Sequence, residues 1–428
     1  MQLTSPAGLL FNTHHLPLSR LTSFPMSPHV FPRIPPELVT EVVANVEDTQ
    51  TLLQVGLVSR SFRDIVLPFI YHTLIITKGT NVVKNLSLQN LSAIDKIRNY
   101  VKEIEYDSSQ VDIAATREEE LQNLLQDLLH LPNFPRLGTL RIYFPSIPGG
   151  EDTVALTDPD QPFISHSRHL QRLLFQLCGR LHVGNDFQVN FFEMHNILPC
   201  PNKGLNDPNF RSFLRPLKGM AISILRAHPE QNGTQEEWQA FQTFNTQMVQ
   251  ALRAPAELEY LAYGGDTIAC GAQERWERWE ALFFPRLKRL HLKDLLFDDC
   301  SSDSQVSSSK ALHFILQHGG TLEELVFESC SIGIDDSITW AQIFQVLEER
   351  MQKLVSFTFQ PYPGRNDEDG NLLGGYSLLD PDTGVIPVTT YADPPTEAQD
   401  EDDDYEDNLA LRRFLAYLEE RRKERGGK

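Results

Sequence analysis

Two histidines in a predicted helix have the spacing that best suits metal binding in this chain. His166 and His169 are three positions apart, which places both imidazoles on one helical face. A zinc site needs at least three protein ligands, and the sequence offers no third ligand near this pair. Surface histidines are therefore the favoured interpretation, and the sequence predicts neither a metal nor a cofactor.

The sequence lacks the motifs of the common catalytic sites. It contains no glycine-rich phosphate loop, no GxGxxG, no GxSxG elbow and no HExxH. A net charge of −20 also disfavours nucleic acid, because phosphates are bound mainly by clustered lysine and arginine. We therefore expect a protein that is not an enzyme, with a substrate cleft in the α/β region as the disfavoured alternative.

Cysteine usage predicts a reducing compartment and no disulfide framework. The five cysteines are an odd number and form no CxxC pair: Cys178, Cys200, Cys270, Cys300 and Cys330. No run approaches the ~20 apolar residues that cross a bilayer, and the first residues lack the basic segment of a secretory signal. The expected location is cytoplasmic or nuclear, without membrane association.

Two further features have the composition of partner-binding elements. Trp276 and Trp279 lie three apart in a predicted helix, where packing is the default role and an interface anchor the weaker hypothesis. Acidic residues accumulate up to a run at 400–407, which repels itself and stays solvated. An acidic disordered linker is the favoured interpretation of that run, and a handle for a basic partner is the weaker one.

The elements that would position a binding site repeat along the middle of the chain. Seven segments have the Leu-x-x-Leu-x-Leu core of a leucine-rich repeat, some with other apolar residues, and begin at Val101, Leu137, Leu217, Leu258, Leu287, Leu322 and Leu354. In that pattern the first residue enters the core from a turn and the next two point inward from a short strand. The alternate residues then face outward on a concave surface.

Segments with helical spacing lie between these strands, at residues 118–130, 167–181, 236–252, 310–318 and 338–351. The alternation predicts an α/β fold in which short parallel strands are covered by helices. The later segments start 29, 35 and 32 residues apart, counted from Leu258 through Leu354, so they reach and then exceed the upper end of the usual ~20–29 of the repeat. We expect an irregular solenoid, with a non-repetitive α/β domain as the alternative.

Residues 31–77 carry more apolar side chains than so short a segment buries by itself. Pro35 and Pro36 suit the first turn of a helix, and Asp48 suits the cap of a second. Apolar residues follow at helical spacing in both helices. Because small domains bury a low fraction of their surface, the excess predicts docking, on the rest of the chain or on another protein.

The order of residues in this segment resembles the F-box, the adaptor-binding motif of cullin-RING ubiquitin ligases. Ile34-Pro35-x-Glu37-Leu38-Val39 is similar to the family's opening Leu-Pro-x-Glu-Leu-Leu. Residues 52–63, LLQVGLVSRSFR, are similar to its second half, with Phe62 where tryptophan is common. Residues 67–74, LPFIYHTL, resemble the segment that often follows the box in fungal members.

The resemblance implies the substrate-recognition subunit of a Skp–cullin–F-box E3 ubiquitin ligase, a connector that performs no bond chemistry. It implies that a Skp-type adaptor, and through it a cullin, is bound by Ile34, Pro35, Leu38, Val42, Leu57, Val58 and Phe62. The repeat domain would hold a protein substrate. The alternative is a non-catalytic leucine-rich-repeat scaffold whose N-terminal helices only cap the solenoid.

Five regions make up the predicted organisation of the 428 residues. They are a disordered N-terminal tail (1–29), the F-box (30–76), a leucine-rich-repeat-like substrate-binding domain (77–360), the acidic disordered linker (361–407) and a C-terminal amphipathic helix (408–428). Because terminal repeats require a cap, we expect that helix to pack on the end of the solenoid.

Overall fold

The computed structural model describes residues 35–46, 48–77, 97–108, 134–145, 162–182, 189–225, 235–265, 279, 281–297, 309–333, 338–360, 376–380, 384–388 and 401–426. They belong to two compact units, Met1–Val66 and Leu67–Lys428. The predicted N-terminal tail and the predicted helix at 118–130 lie outside the described residues.

Two short helices and most of a third lie in the described part of the first unit, and the last residues of the third, 67–70, belong to the second unit. The helices are α1 (Pro36–Ala44), α2 (Thr49–Val58) and α3 (Arg60–Ile70). Pro35 precedes α1 and Pro36 is its first residue, as the missing proline N–H favours. The predicted cap of α2 is confirmed, because the Asp48 carboxylate accepts hydrogen bonds from the backbone N–H groups of Gln50 (3.2 Å) and Thr51 (2.8 Å).

A nine-stranded parallel sheet organises the second unit, so the chain is a mixed α/β protein. In spatial order the strands are β1 (Thr73–Thr77), β2 (Glu103–Asp107), β3 (Thr139–Tyr143), β4 (Phe191–Ile197), β5 (Gly219–Ile224), β6 (Tyr260–Gly265), β7 (Arg289–Lys293), β9 (Glu324–Glu328) and β11 (Ser356–Gln360). Up to β7 each strand lies beside its predecessor in the chain; β9 then pairs with β7, and β11 pairs with β9.

All seven segments predicted to form strands do so, as β2, β3, β5, β6, β7, β9 and β11. The prediction missed β1, which lies in the tail of the F-box-like segment. It also missed β4, where Val189, Phe192 and Met194 occupy the apolar positions of the pattern without a leucine.

The four remaining strands, all after β7 in the chain, form a second sheet. Its order is β13 (Gly384–Val388), β12 (Tyr376–Asp380), β10 (Ser331–Gly333) and β8 (Leu296–Phe297). Strands β8 and β10 are parallel, and β12 runs antiparallel to both of its neighbours. The hairpin β12–β13 lies within the predicted linker, so the structure differs there from an uninterrupted disordered segment.

Helices follow or precede most strands of the large sheet. They are α4 (Pro162–His182), α5 (Pro208–Leu214), α6 (Gln235–Leu252), α7 (Lys310–Leu316) and α8 (Trp340–Arg350), with a 3₁₀ turn at Lys203–Asn206. Four were predicted with boundaries within a few residues, whereas α5 was not predicted. Its carboxylate cap, Asp207, and Pro208 at its first position are the signals that mark its start.

The core lies on one face of the large sheet, because side chains alternate between buried and partly exposed along its strands. In β6, for example, Leu261 and Tyr263 are buried, as is Leu258 just before the strand. One cluster joins these residues to apolar side chains of the helices, including Leu170, Phe210, Phe244, Phe314 and Phe344. The opposite face of the sheet carries the polar side chains.

The C-terminal helix α9 spans Glu401–Gly426 and packs on α8. It begins seven residues earlier than predicted, because the acidic run at 401–407 forms its first turns, where negative charge is favourable. The Phe414 ring stacks on Phe344 at 5.7 Å and meets Phe357 edge-on at 5.3 Å. The helix therefore completes the core at this end of the second unit.

Both ends of α8 are capped by side chains of α9. The Asp407 carboxylate accepts a hydrogen bond of 2.6 Å from the backbone N–H of Ala341, in the first turn of α8. At the other end, Arg421 donates to the carbonyl oxygen of Met351 at 2.8 Å. These bonds satisfy backbone groups that a helix leaves unpaired at its termini.

Candidate functional site

The open face of the large sheet is the first candidate site. We define the open face as the outward residues of its strands, which strand register aligns in rows. One row is Thr73, Glu103, Thr139, Phe191, Gly219, Tyr260, Arg289, Glu324 and Ser356. The next is Ile75, Glu105, Arg141, Glu193, Ala221, Ala262, His291, Val326 and Thr358.

An ionic network joins strands β2, β3 and β4 on the open face. Arg141 donates from Nε to Glu193 Oε1 at 2.9 Å and from Nη1 to Glu103 Oε2 at 2.8 Å. Glu193 Oε2 lies 3.0 Å from His195 Nε2. The His195 ring stacks on Tyr143, with centroids 4.4 Å apart and planes 10° from parallel. Neighbouring strands therefore fix the conformation of each of these side chains.

Burial and neighbouring charges oppose each other in this network. Partial burial raises the pKa of Glu193, but hydrogen bonds from His195 and Arg141 and the Arg141 charge outweigh it, so this pKa lies below its ordinary value. Burial dominates at Glu105 and raises its pKa, and the charge of Arg141 opposes that rise only in part. Three carboxylates, those of Glu103, Glu105 and Glu193, lie around one guanidinium here, so this part of the open face is acidic.

An aromatic pair occupies the centre of the open face. The Phe191 and Tyr260 rings stack at 5.3 Å across the intervening strand β5. They meet because Gly219 lies between them in register, and a Cβ atom at this position would come within 2.1 Å of the Phe191 ring. The Arg289 guanidinium lies 5.1 Å from the centre of the Tyr260 ring, close enough for a cation–π contact.

A second ionic cluster lies on β7 and β9. Glu328 pairs with Lys293 and with His291, whose Nε2 is 2.9 Å from Glu328 Oε2. Partial burial raises the pKa of Glu328, but these two partners outweigh it, and the pKa lies below its ordinary value. The open face thus presents an acidic part, an aromatic centre and a mixed-charge part, an arrangement suited to binding a polar macromolecular surface.

The second candidate site consists of the residues predicted to bind an adaptor. Most of their apolar side chains are exposed: Leu38 by 52%, Val42 by 67%, Leu57 by 78% and Val58 by 71%. Pro35 is also exposed, Phe62 is half-buried, and Ile34 lies outside the described residues. By contrast Val43, Leu52 and Val66 are buried, so α1 and α2 each divide their apolar residues between a buried and an exposed side.

The two chemical motifs weighed from the sequence have structural roles. His169 lies on α4, where its Nδ1 accepts a hydrogen bond of 2.8 Å from Arg172. Within the described ranges no three metal-ligating side chains form a group. Trp279 is buried and packs edge-on against Tyr263 and Phe314, so an interface role for this residue is wrong. Trp276 lies outside the described residues.

The described cysteines are buried free thiols, Cys178, Cys200 and Cys330. Burial raises the pKa of Cys178 and of Cys330 to about 12, which keeps both protonated at neutral pH. As for membranes, none of the helices in the described part of the chain combines the length and the hydropathy that a span requires.

The chain has little detectable similarity to proteins of known function. No protein-family model matches the chain, and no curated protein matches it. Among solved structures, the chain is similar to a psychrophilic glycoside hydrolase family 10 endo-beta-1,4-xylanase, at 8% identity. That alignment covers 68% of this chain and 86% of the xylanase chain, with a TM-score of 0.21. At this score the likeness carries no argument about function.

Proposed function

We propose that this protein is an F-box protein, the substrate-recognition subunit of a Skp–cullin–F-box ubiquitin ligase. The observation that carries the proposal is the exposure of Leu38, Val42, Leu57 and Val58, which occupy positions that the resemblance assigns to adaptor binding. The proposed receptor catalyses no reaction, requires no cofactor and works in the cytoplasm or nucleus.

The energetics of these side chains favour an interface. Burying a Val or Leu side chain is worth about 1.5–3 kcal/mol, so four exposed ones represent a considerable driving force for association. Single exposed apolar residues are normal on a protein surface, but several on one small helical unit are typical of interaction sites. A Skp-type adaptor is the partner that the order of residues in this unit supports.

The open face supports the second half of the proposal, binding of a protein substrate. The sequential order of the parallel strands and the buried apolar positions of the repeated pattern support the interpretation as an irregular leucine-rich-repeat-like solenoid. In such a solenoid the open face is the concave surface that binds partners. A substrate held there would lie at high effective concentration near the ubiquitin-carrying enzyme.

Replacing Leu57 with aspartate tests the adaptor interface. The expected result of Leu57→Asp is loss of adaptor binding, because a carboxylate buried in an apolar interface has no partner there. The measurement is co-expression with a Skp-type adaptor, capture through the adaptor and size-exclusion chromatography of the product.

The matched control is Leu409→Asp, the same substitution at an exposed leucine of α9. It should leave the complex intact. Undiminished capture of folded Leu57→Asp protein would overturn the proposed interface. A wild-type protein that is folded and monodisperse but not captured would favour the scaffold with capping helices instead.

A further inference from the structure

A cationic pocket lies between helices α5 and α6, on the side of the second unit that carries the helices. Its volume is about 640 Å³, and its lining includes Arg211, Ser212, Arg215, Gln250 and Arg253. Among the described residues that line it, none is acidic. Three arginines around one pocket are unexpected in a chain whose net charge is −20.

Neutral groups hold Arg211 in place. Its Nη2 donates to Asn206 Oδ1 at 3.1 Å and to Gln250 Oε1 at 3.0 Å. Its Nε is buried and has no hydrogen-bond partner among the residues that the structure describes. Amide oxygens fix the orientation of this side chain without neutralising it, so the full positive charge remains at the pocket.

The other two arginines keep their charge as well. Arg215 and Arg253 are exposed, and neither has an acidic partner in the part of the chain that the structure describes. Each lies at the C-terminal end of its helix, where a cation is favoured by about 0.3–1 kcal/mol. That effect accounts for the position of each of these two arginines taken alone. It does not account for three arginines around one pocket, because their like charges repel one another.

We propose that this pocket binds a phosphoryl ligand with at least two negative charges. The guanidinium fork matches phosphate oxygens in bidentate geometry, and such charge-assisted hydrogen bonds are among the strong ones in proteins. The volume falls within the ~300–1,000 Å³ typical of small-molecule sites, so it holds more than one bare phosphate ion. The ligand is either a free phosphorylated compound or a phosphorylated side chain of a bound protein. The proposal is independent of the F-box assignment.

Calorimetric titration of the full-length protein with pyrophosphate, in phosphate-free buffer, tests the pocket. Arg215→Ala and Arg253→Ala should each weaken binding by about tenfold, the loss of one charged hydrogen bond. Arg253→Lys keeps the charge but loses the fork, and should lie between wild type and Arg253→Ala. The control is Arg412→Ala, at an exposed arginine of α9, which should change the affinity by less than about twofold.

A phosphoserine peptide and its unphosphorylated form, titrated in parallel, separate the two sources of the ligand. Binding of the phosphorylated peptide alone, with the same loss in Arg253→Ala, assigns the pocket to a phosphorylated protein. Binding of pyrophosphate without any gain from peptide phosphorylation assigns it to a free compound. Failure of all probes to bind at millimolar concentration, or an equal loss in Arg412→Ala, would overturn the proposal.

Discussion

Gly219 shows how one missing side chain organises the centre of the open face. It is the first residue of β5 and lies in register between Phe191 on β4 and Tyr260 on β6. The Phe191 ring fills the space that a Cβ atom would occupy, and this lets the two rings stack across a strand. The glycine is therefore required by close approach rather than by a special backbone conformation.

Gly219→Ala should destabilise the protein by about 1–3 kcal/mol, because the added methyl group displaces the Phe191 ring from a packed position. The free energy of unfolding from chemical denaturation measures the effect. Gly138 is the matched control, since it lies just before β3 and a Cβ atom there would come no closer than 4.0 Å to Lys102 O. Gly138→Ala should be neutral or slightly stabilising, and an equal loss in both variants would refute the role of the ring.

Arg141 is the cation on which the acidic part of the open face depends. Arg141→Met should cost about 1 kcal/mol at pH 7, the upper end for a partly exposed ionic network. The folded-state pKa of Glu193 is depressed, so the stability that its ionised form contributes is present at neutral pH and is lost as the pH falls below about 4.5. The difference between Arg141→Met and wild type should therefore shrink at acid pH.

Denaturation midpoints at pH 7 and pH 4 measure this difference. The control is Arg136→Met, which removes an exposed arginine just before the same strand. It should leave the stability nearly unchanged at both pH values. A penalty for Arg141→Met that is the same at pH 7 and at pH 4 would contradict a role for the ionised Glu193.

At the level of elements, helix α9 closes the core of the second unit beside α8. It supplies Leu411, Phe414 and Leu418 to the core, and its polar side chains cap both ends of α8. An edge element with these contacts stabilises two neighbours at once, the helix that it covers and strand β11, which lies at the edge of the sheet.

Phe414→Ala should destabilise the protein by about 3–5 kcal/mol, the usual cost of removing a buried phenylalanine ring from a packed core. Thermal and chemical unfolding measure the loss. The next residue provides the control, because Leu415 is partly exposed on the same helix. Leu415→Ala should cost less than about 1 kcal/mol. Similar losses at both positions would mean that α9 is not packed as described.

The sequence predicts strands well where leucine marks the inward positions, and poorly elsewhere. Seven strands follow from the repeated apolar spacing, whereas β4 follows the same spacing through valine, phenylalanine and methionine and was missed. The open-face network could not be predicted, because Arg141 meets Glu193 only through the register of strands 52 residues apart. The exposure of Leu57 and Val58 could not be predicted either. It depends on which face of the helix other residues cover, and the spacing of apolar residues does not determine that face.

At the level of the whole molecule, the two compact units make a test of the capping alternative possible. Deleting residues 1–66 should leave a folded protein, because the large sheet and its core cluster consist of residues from Leu67–Lys428. The deletion stops before β1, since removing that strand would expose the edge of β2. A cooperative thermal transition and a monodisperse elution profile are the expected results.

Aggregation of the truncated protein, with a control lacking only residues 1–29 still soluble, would favour N-terminal helices that cap the solenoid. The shorter deletion removes only the predicted tail and leaves α1–α3 in place. The pair of deletions therefore separates loss of the helices from loss of the chain that precedes them.

The sequential order of the large sheet has a consequence for how the chain acquires its structure during synthesis. Every strand from β2 to β7 pairs with the strand made just before it, so none of these strands waits for a distant partner. Ordering can then proceed from the N-terminal end as residues leave the ribosome, in steps of one strand and its helix. Closure of the core beside α8 comes later, because the residues of α9 follow all of these strands in the chain.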